Sequence, residues 1–303
     1  MDARNVADSL DDLREEIDRI DTALYDLFVQ RVEVVRRIGA LKGTEGVGQP
    51  AMRPAREAQV LRRLIARAGA TPGDGRLPKA ALVRIWRELF AAMTRLQGPL
   101  AVAVYAPPES PGYRDLARDH FGSFTPMILV TRAGQALHAV GTGTATVAVL
   151  PLPEDGGAPN GDSPWWLALF QGGDERLRVA ARLPFGAPGF GYGADVRALA
   201  VGRFEHEPSG DDATVLAVEA AAGLSRGRLG ALLKEADLPS GWSAAWRPPG
   251  GQGAPAFHLV EVGGFVPEGE ARLGRLLQAA RGEVLRAVPV GGYARPLTAE
   301  ELA

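Results

Sequence analysis

Leu13-Arg14-Glu15-Glu16-Ile17-Asp18-Arg19-Ile20-Asp21 lies early in a segment, residues 7–41, whose apolar residues return at helical spacing. Leu10, Leu13, Ile17, Leu24, Leu27, Val34, Val35, Ile38 and Leu41 follow a period near 3.6, with charged residues between them. Acidic residues crowd the start of the segment and basic ones its end, the order that the helix dipole favours. The pattern predicts one helix about 50 Å long, at roughly 1.5 Å per residue. That length overhangs a compact domain, so the helix should pair with another long one, within the chain or from a second subunit.

Outward from this helix, a glycine-rich loop, Gly43–Pro50, leads to a second helix starting near Pro54, a residue type suited to a first helical turn. That helix carries Val60, Leu61, Leu64 and Ile65. After a further loop, Gly69–Pro78, a third helix turns Leu82, Ile85, Trp86, Leu89, Phe90 and Met93 inward. Composition then changes at Gly98-Pro99. Of 38 glycines seven precede residue 98, and of 23 prolines four do, so the remainder should be short strands, turns and loops. Leu100–Tyr105, Thr146–Leu150, Ala213–Val218 and Phe257–Val262 are strand candidates, and the second half reads as α/β. Loops are expected at Gly156–Pro164, Gly186–Gly193 and Pro248–Pro255.

The 303 residues suffice for two or three compact units, and 46% apolar with 23% charged residues is ordinary for a globular protein. A net charge of −2 provides no global field toward nucleic acid or an anionic membrane. The absence of cysteine removes disulfides, thiolate catalysis and cysteine-based metal sites. Met1–Asp12 lacks the pattern of a signal peptide, and no apolar run approaches the roughly 18 residues of a membrane span. A cytoplasmic protein without nucleic-acid or membrane partners is the expectation.

Polar residues on apolar stripes carry the functional signal. Arg31 falls on the stripe of the first helix, seven residues after Leu24, and Lys42 lies on the same side about three turns later. Glu57 has Val60, Leu61 and Leu64 at +3, +4 and +7, and Gln97 follows Met93, Phe90 and Trp86 by four, seven and eleven. Buried charge is costly unless paired or met by a ligand. Structural roles fit these residues as well: Arg31 and Lys42 reaching solvent, Glu57 paired with an arginine, Gln97 at a frayed end. Arg14 precedes Arg31 by 17 residues, about 25 Å along one helix and about 100° around it. If both serve one small ligand, Arg14 must come from a second subunit.

The Leu13–Asp21 stretch resembles the opening of helical chorismate mutases of the AroQ type. So do Arg31 with Gly39-Ala40-Leu41-Lys42, Arg53-Pro54-Ala55-Arg56-Glu57 through Leu61, Ile85-Trp86-Arg87-Glu88-Leu89-Phe90, and Gln97-Gly98-Pro99-Leu100. The resemblance covers about residues 10 to 100, in order. It implies an intertwined all-α homodimer that rearranges chorismate to prephenate without metal or cofactor. By matching position, Arg31 and the partner's Arg14 would hold the two substrate carboxylates. Lys42 would contact a carboxylate and the ether oxygen, Gln97 the ether oxygen, and Glu57 the ring hydroxyl, with Arg56 in support. Arg53 would act through its backbone. Met93 stands where a serine is usual, removing one secondary contact. A dianion needs cations to fold it into the reactive conformer, and donors at the breaking C–O bond stabilise the charge that develops there.

The order mutase, then Gly98-Pro99-Leu100-Ala101-Val102-Ala103, resembles bifunctional mutase–prephenate dehydratases. Ala148-Val149-Leu150-Pro151-Leu152-Pro153-Glu154 and Arg203-Phe204 match dehydratase landmarks, while Arg247-Pro248 and Gly291-Gly292-Tyr293 match those of a regulatory ACT domain. The departures are larger. Ala106-Pro107-Pro108-Glu109-Ser110-Pro111 replaces Gly-Pro-x-Gly-Thr-Phe, and Gly202 replaces the threonine of Thr-Arg-Phe. About fifty residues between Leu152 and Arg203 leave no room for a second lobe, and Ala245-Trp246 replaces Glu-Ser before Arg247. The expectation is therefore a mutase domain (1–98), a shortened, vestigial dehydratase-like α/β region (99–200) and an ACT-like α+β module (201–303). A bifunctional enzyme and a non-catalytic regulator are the alternatives. Gly141-x-Gly143 lacks the context of a dinucleotide site. His206 with Glu205, Glu207, Asp211 and Asp212 reads as a solvated acidic loop rather than metal ligands.

Overall fold

The computed structural model describes residues 9–43, 51–70, 77–156, 163–170, 176–186, 196–249 and 253–303. The expected loops at 43–50, 69–78, 156–164 and 186–193, and the start of the chain, fall largely outside these residues, as do 250–252 of the loop at 248–255. Three helices open the chain: α1 (Leu10–Gly43), α2 (Pro54–Ala70) and α3 (Lys79–Gln97). At 34 residues α1 is about 51 Å long. Its apolar stripe is not buried within the chain: Leu10, Leu13, Ile17, Ile20, Leu24, Leu27, Val34, Ile38 and Leu41 are exposed, whereas Val35 is buried. Helices α2 and α3 bury Ala58, Leu61, Ile65, Leu82, Val83 and Phe90 between them.

The following elements are β1 (Val102–Tyr105), α4 (Gly112–Phe121), β2 (Met127–Val130), α5 (Ala133–Gly141), β3 (Val147–Pro151), a 3-10 turn (Trp165–Phe170), β4 (Arg178–Leu183) and β5 (Ala198–Gly202). A βαββαβ unit completes the chain: β6 (Asp212–Ala220), α6 (Arg226–Glu235), β7 (Ser240–Trp246), β8 (Ala256–Gly263), α7 (Ala271–Ala280) and β9 (Val284–Ala294), before the short α8 (Ala299–Leu302). Each of the four expected strands is present, with ends shifted by up to two residues.

The nine strands among the described residues form one sheet, in the order β2-β1-β3-β5-β4-β9-β6-β8-β7. Strands β1, β2 and β3 are parallel and read as continuous apolar runs; β1 and β3 are buried, whereas β2 at the sheet edge leaves Leu129 exposed. The last unit is antiparallel with strand order β9-β6-β8-β7, a ferredoxin-like arrangement. The halves join where β4 runs parallel to β9 at Val179 and Gly291. Gly291 has φ +107°, and any Cβ there would strike the Val179 backbone. This junction needs glycine.

Residues 200 and 201 both lie in β5, which pairs with β3 and β4. Phe185, which follows β4, and Leu297, which follows β9, complete the α2–α3 cluster. Leu297 N–H donates to Phe185 O at 2.7 Å, closing that patch of backbone.

Candidate active site

Arg31 sits two-thirds of the way along α1, and its Nη1 is buried with no hydrogen-bond partner among the described residues. Burial lowers its pKa from the ordinary arginine value, and the charge of Glu57 opposes that shift. Glu57, in the first turn of α2, accepts a hydrogen bond from Arg87 Nη1 of α3 at 2.8 Å. Their side chains are 13% and 5% exposed, so the pair is withdrawn from water. Burial pushes the Glu57 carboxyl upward, and Arg87 and Arg31 pull it back. The same burial lowers Arg87. Both partners thus agree that desolvation exceeds their mutual attraction. The Arg87 guanidinium also lies 5.0 Å from the centre of the Phe185 ring.

Gln97 closes the other end. A Cβ on Gly39 would stand 3.6 Å from the Gln97 Cα, an ordinary van der Waals contact, so α1 and α3 lie close at this point. Gln97 Nε2 donates to Met93 O at 3.2 Å, and Met93 itself is buried. Arg31 of α1 and Glu57 of α2 are thus within electrostatic reach of one another, while Gln97 of α3 lies against Gly39 of α1. Lys42 continues α1, but its side chain lies outside the described residues. Arg14 is not brought to them. It is exposed and pairs with Asp11 at 2.9 Å, in the part of α1 that projects from the chain.

The remaining expected residues face the C-terminal half or solvent. Arg53 Nε donates to Glu207 Oε2 at 3.0 Å, and a second bond joins Nη2 to Oε1. Arg56 Nη1 donates to Gln59 at 3.4 Å. The reading of residues 205–212 as a solvated acidic loop is wrong. Glu207 holds Arg53, Asp211 O accepts from Arg62 Nη2 at 3.0 Å, and Gln59 Nε2 donates to Pro208 O at 3.2 Å. Asp212 accepts from Ser209 N and Gly210 N. His206 packs 4.5 Å from Phe265, and burial takes its pKa down to about 4. Glu207 and Asp211 tie Arg53 and α2 to the segment that precedes β6. Gly141 ends α5 and Gly143, at φ +75°, shapes the turn into β3.

Arg87 was missed. It lies four residues after Val83 and three before Phe90, on the buried face of α3, so its spacing carried the same signal as that of Glu57.

Residues 13–98 match the family described as chorismate mutase type II. The N-terminal part of this chain is a chorismate mutase type II domain. Over 115 residues the chain is 32% identical to a bifunctional chorismate mutase/prephenate dehydratase of Aquifex aeolicus, covering 38% of this chain and 31% of that protein. Its Neisseria gonorrhoeae counterpart is 30% identical over 139 residues, covering 46% and 36%. The chain thus spans about a third of the length of the curated relatives it matches. A prephenate dehydratase structure from Streptococcus mutans is similar over 65% of this chain and 98% of its own, at 13% identity and a TM-score of 0.43. That likeness is too distant to assign an activity. The mutase domain therefore covers α1, α2 and α3, and holds Arg31, Glu57, Arg87 and Gln97.

Proposed function

We propose that this protein is a chorismate mutase, rearranging chorismate to prephenate. The observation that carries the reading is the buried, unpartnered Arg31 Nη1 facing the Glu57 side of the mutase domain. A buried cation without an acceptor is poised for an anion. Arg31, with Arg14 of a second copy, would hold the substrate carboxylates. Lys42 would bridge a carboxylate and the ether oxygen, and Gln97 would donate to that oxygen as the C–O bond breaks. Glu57 would accept from the ring hydroxyl with Arg56 in support, Arg53 would contribute through its backbone, and Met93 would leave one secondary contact unmade. Positioning and electrostatics suffice for such a unimolecular step.

The exposed stripe of α1 supports a homodimer in which each long helix covers the other. Burying one such Leu, Ile or Val is worth about 1.5–3 kcal/mol, so a free chain carrying nine of them would be poorly soluble. Leu24→Asp should convert the dimer to a helix-poor monomer without turnover, measured by analytical ultracentrifugation and circular dichroism. A dimer that survives this change would remove α1 from the interface.

The α/β region is proposed to be a vestigial dehydratase, and the βαββαβ unit its ACT-like companion. At Gly202, where dehydratases are expected to carry threonine, a Cβ would lie 2.6 Å from the Phe204 ring and 2.8 Å from Thr146 O. No described helix is long and apolar enough to cross a membrane, and a cytoplasmic location is proposed. The test is the loss of chorismate absorbance with the purified protein, with products separated by chromatography. Prephenate alone is expected. Phenylpyruvate would overturn the vestigial assignment, and no loss with a folded dimer would overturn the mutase.

The pH profile provides a further check. As pH falls, protonation of Glu57 removes an acceptor and the counter-charge of Arg87. Because burial raises this carboxyl, the acid limb of kcat/KM should lie above the ordinary glutamate value of about 4.3. Glu57→Gln should abolish that limb.

A further inference from the structure

The buried pair of Glu57 and Arg87 is finished by residues outside the mutase helices. Arg87 is 4% exposed. The Phe185 ring lies 5.0 Å from its guanidinium, and a void of only about 30 Å³ beside it is lined also by Leu116 and His120 of α4. Phe185 is itself 5% exposed and packed into the α2–α3 cluster. Its ring faces a second arginine, Arg62 of α2, at 6.0 Å. Arg62 in turn donates to Asp211 O and Arg295 O, each at 3.0 Å, which ties α2 to both flanks of the βαββαβ unit.

The sheet sets where this ring stands. Phe185 lies on the segment leaving β4 and Leu297 on the segment leaving β9. Those strands are parallel, so both segments emerge at the same end, one from each half of the sheet. The bond from Leu297 N–H to Phe185 O fixes them to each other. Arg87 occupies Glu57 Oε2, while Oε1 makes no hydrogen bond among the described residues. The other charges nearby leave this arrangement undisturbed. Arg31 attracts Glu57 from α1, and Arg84 and Asp119 satisfy each other through two bonds of 2.8 Å. Burial and the charge of Arg87 hold His120 well below the ordinary histidine value, so it is neutral at pH 7 and does not repel the guanidinium. Glu57 is therefore oriented by Arg87, and Phe185 keeps water from the Arg87 side of the pair.

We propose that Phe185 is a positioning residue of the mutase, holding Arg87 on Glu57 so that the second carboxylate oxygen meets the ring hydroxyl of the substrate. The role rests on the mutase reading and deepens it. It gives the C-terminal half a task in the reaction, because the sheet supplies one wall of a pair built on α2 and α3. Without the ring, water reaches the guanidinium, the attraction between the two charges is screened, and Arg87 gains rotamers that release Glu57.

Chorismate turnover by the full chain tests this role. Phe185→Ala is expected to lower kcat/KM about ten-fold, with wild-type circular dichroism and dimerisation. The acid limb of its pH profile should shift down toward the ordinary glutamate value, because water admitted to the pair relieves the burial that raises the carboxyl. In a Glu57→Gln background the same substitution should change kcat/KM by less than about two-fold, since the group it acts through is already altered. Equal losses in both backgrounds would reduce Phe185 to a member of the core and overturn the proposal. An unaltered kcat/KM in a folded Phe185→Ala dimer would do the same. Phe185→Leu keeps most of the packing without the ring and gives the same comparison if the alanine variant fails to fold, with about a three-fold loss expected. No turnover by the folded wild-type dimer would overturn the mutase reading itself, a result distinct from an active wild type that is indifferent to Phe185.

Discussion

Arg31→Ala should lower kcat/KM for chorismate by about 10³-fold while leaving the far-ultraviolet circular dichroism unchanged. Arg31 Nη1 is already buried and unpartnered, so removing it costs the fold little. The loss falls on the complex. Hydrogen bonds to charged groups contribute about 1.5–3 kcal/mol each, two of them about 3–6, and each 1.36 kcal/mol is a factor of ten in rate. Arg14→Ala should be comparably damaging although Arg14 is exposed in the chain and remote from Arg31. Co-refolding the two variants in equal amounts separates the possible arrangements. If Arg14 serves the partner's site, mixed dimers carry one intact site and one doubly altered site, and activity returns to about a quarter of wild type. If Arg14 serves its own chain, every site in the mixture lacks one arginine and nothing returns.

The second large effect is on stability. Arg87→Met should destabilise the protein by about 3–5 kcal/mol, because it leaves the Glu57 carboxylate buried without its partner. Denaturant unfolding followed by tryptophan fluorescence measures the change. Glu57→Gln/Arg87→Met should recover most of it, since a neutral amide costs far less to bury than a lone charge. That recovery would be in stability and not in turnover. A single Arg87→Met variant as stable as wild type would show that the pair contributes no net stabilisation to this core. Phe185→Ala should produce a smaller loss, removing a ring that covers Arg87 and belongs to the α2–α3 cluster.

Much of the helical domain was legible because helices record their environment locally. Apolar residues at 3.6 spacing, proline at the start of α2 and the glycine loops located α1, α2 and α3. The intrusion of Arg31 and Glu57 into apolar stripes marked two charges that α1 and α2 bring within electrostatic reach, and Gln97 fell where α3 meets Gly39 of α1. The same logic applied to Arg87 but was not followed, and the pairing of Glu57 with it was open as one alternative among several. The acidic loop shows the limit of composition. Glu207, Asp211 and Asp212 look solvated in a linear reading, yet Glu207 holds Arg53, just before α2, and Asp211 holds Arg62 of α2 across the chain.

Sequence by itself determined the three opening helices, four strands of the sheet, and the identity of the charged residues that interrupt apolar faces. Periodicity and helix-end chemistry act over a few residues, so they are written in a few residues. Only the tertiary structure decided which charges meet: Glu57 with Arg87 across 30 positions, and Arg53 with Glu207 across 154. It also decided that Gly291 joins the two halves of the sheet, and that Phe185 and Leu297 complete the helical core. These contacts form when distant segments close on one another, and their free energy depends on a desolvated geometry that no local pattern encodes.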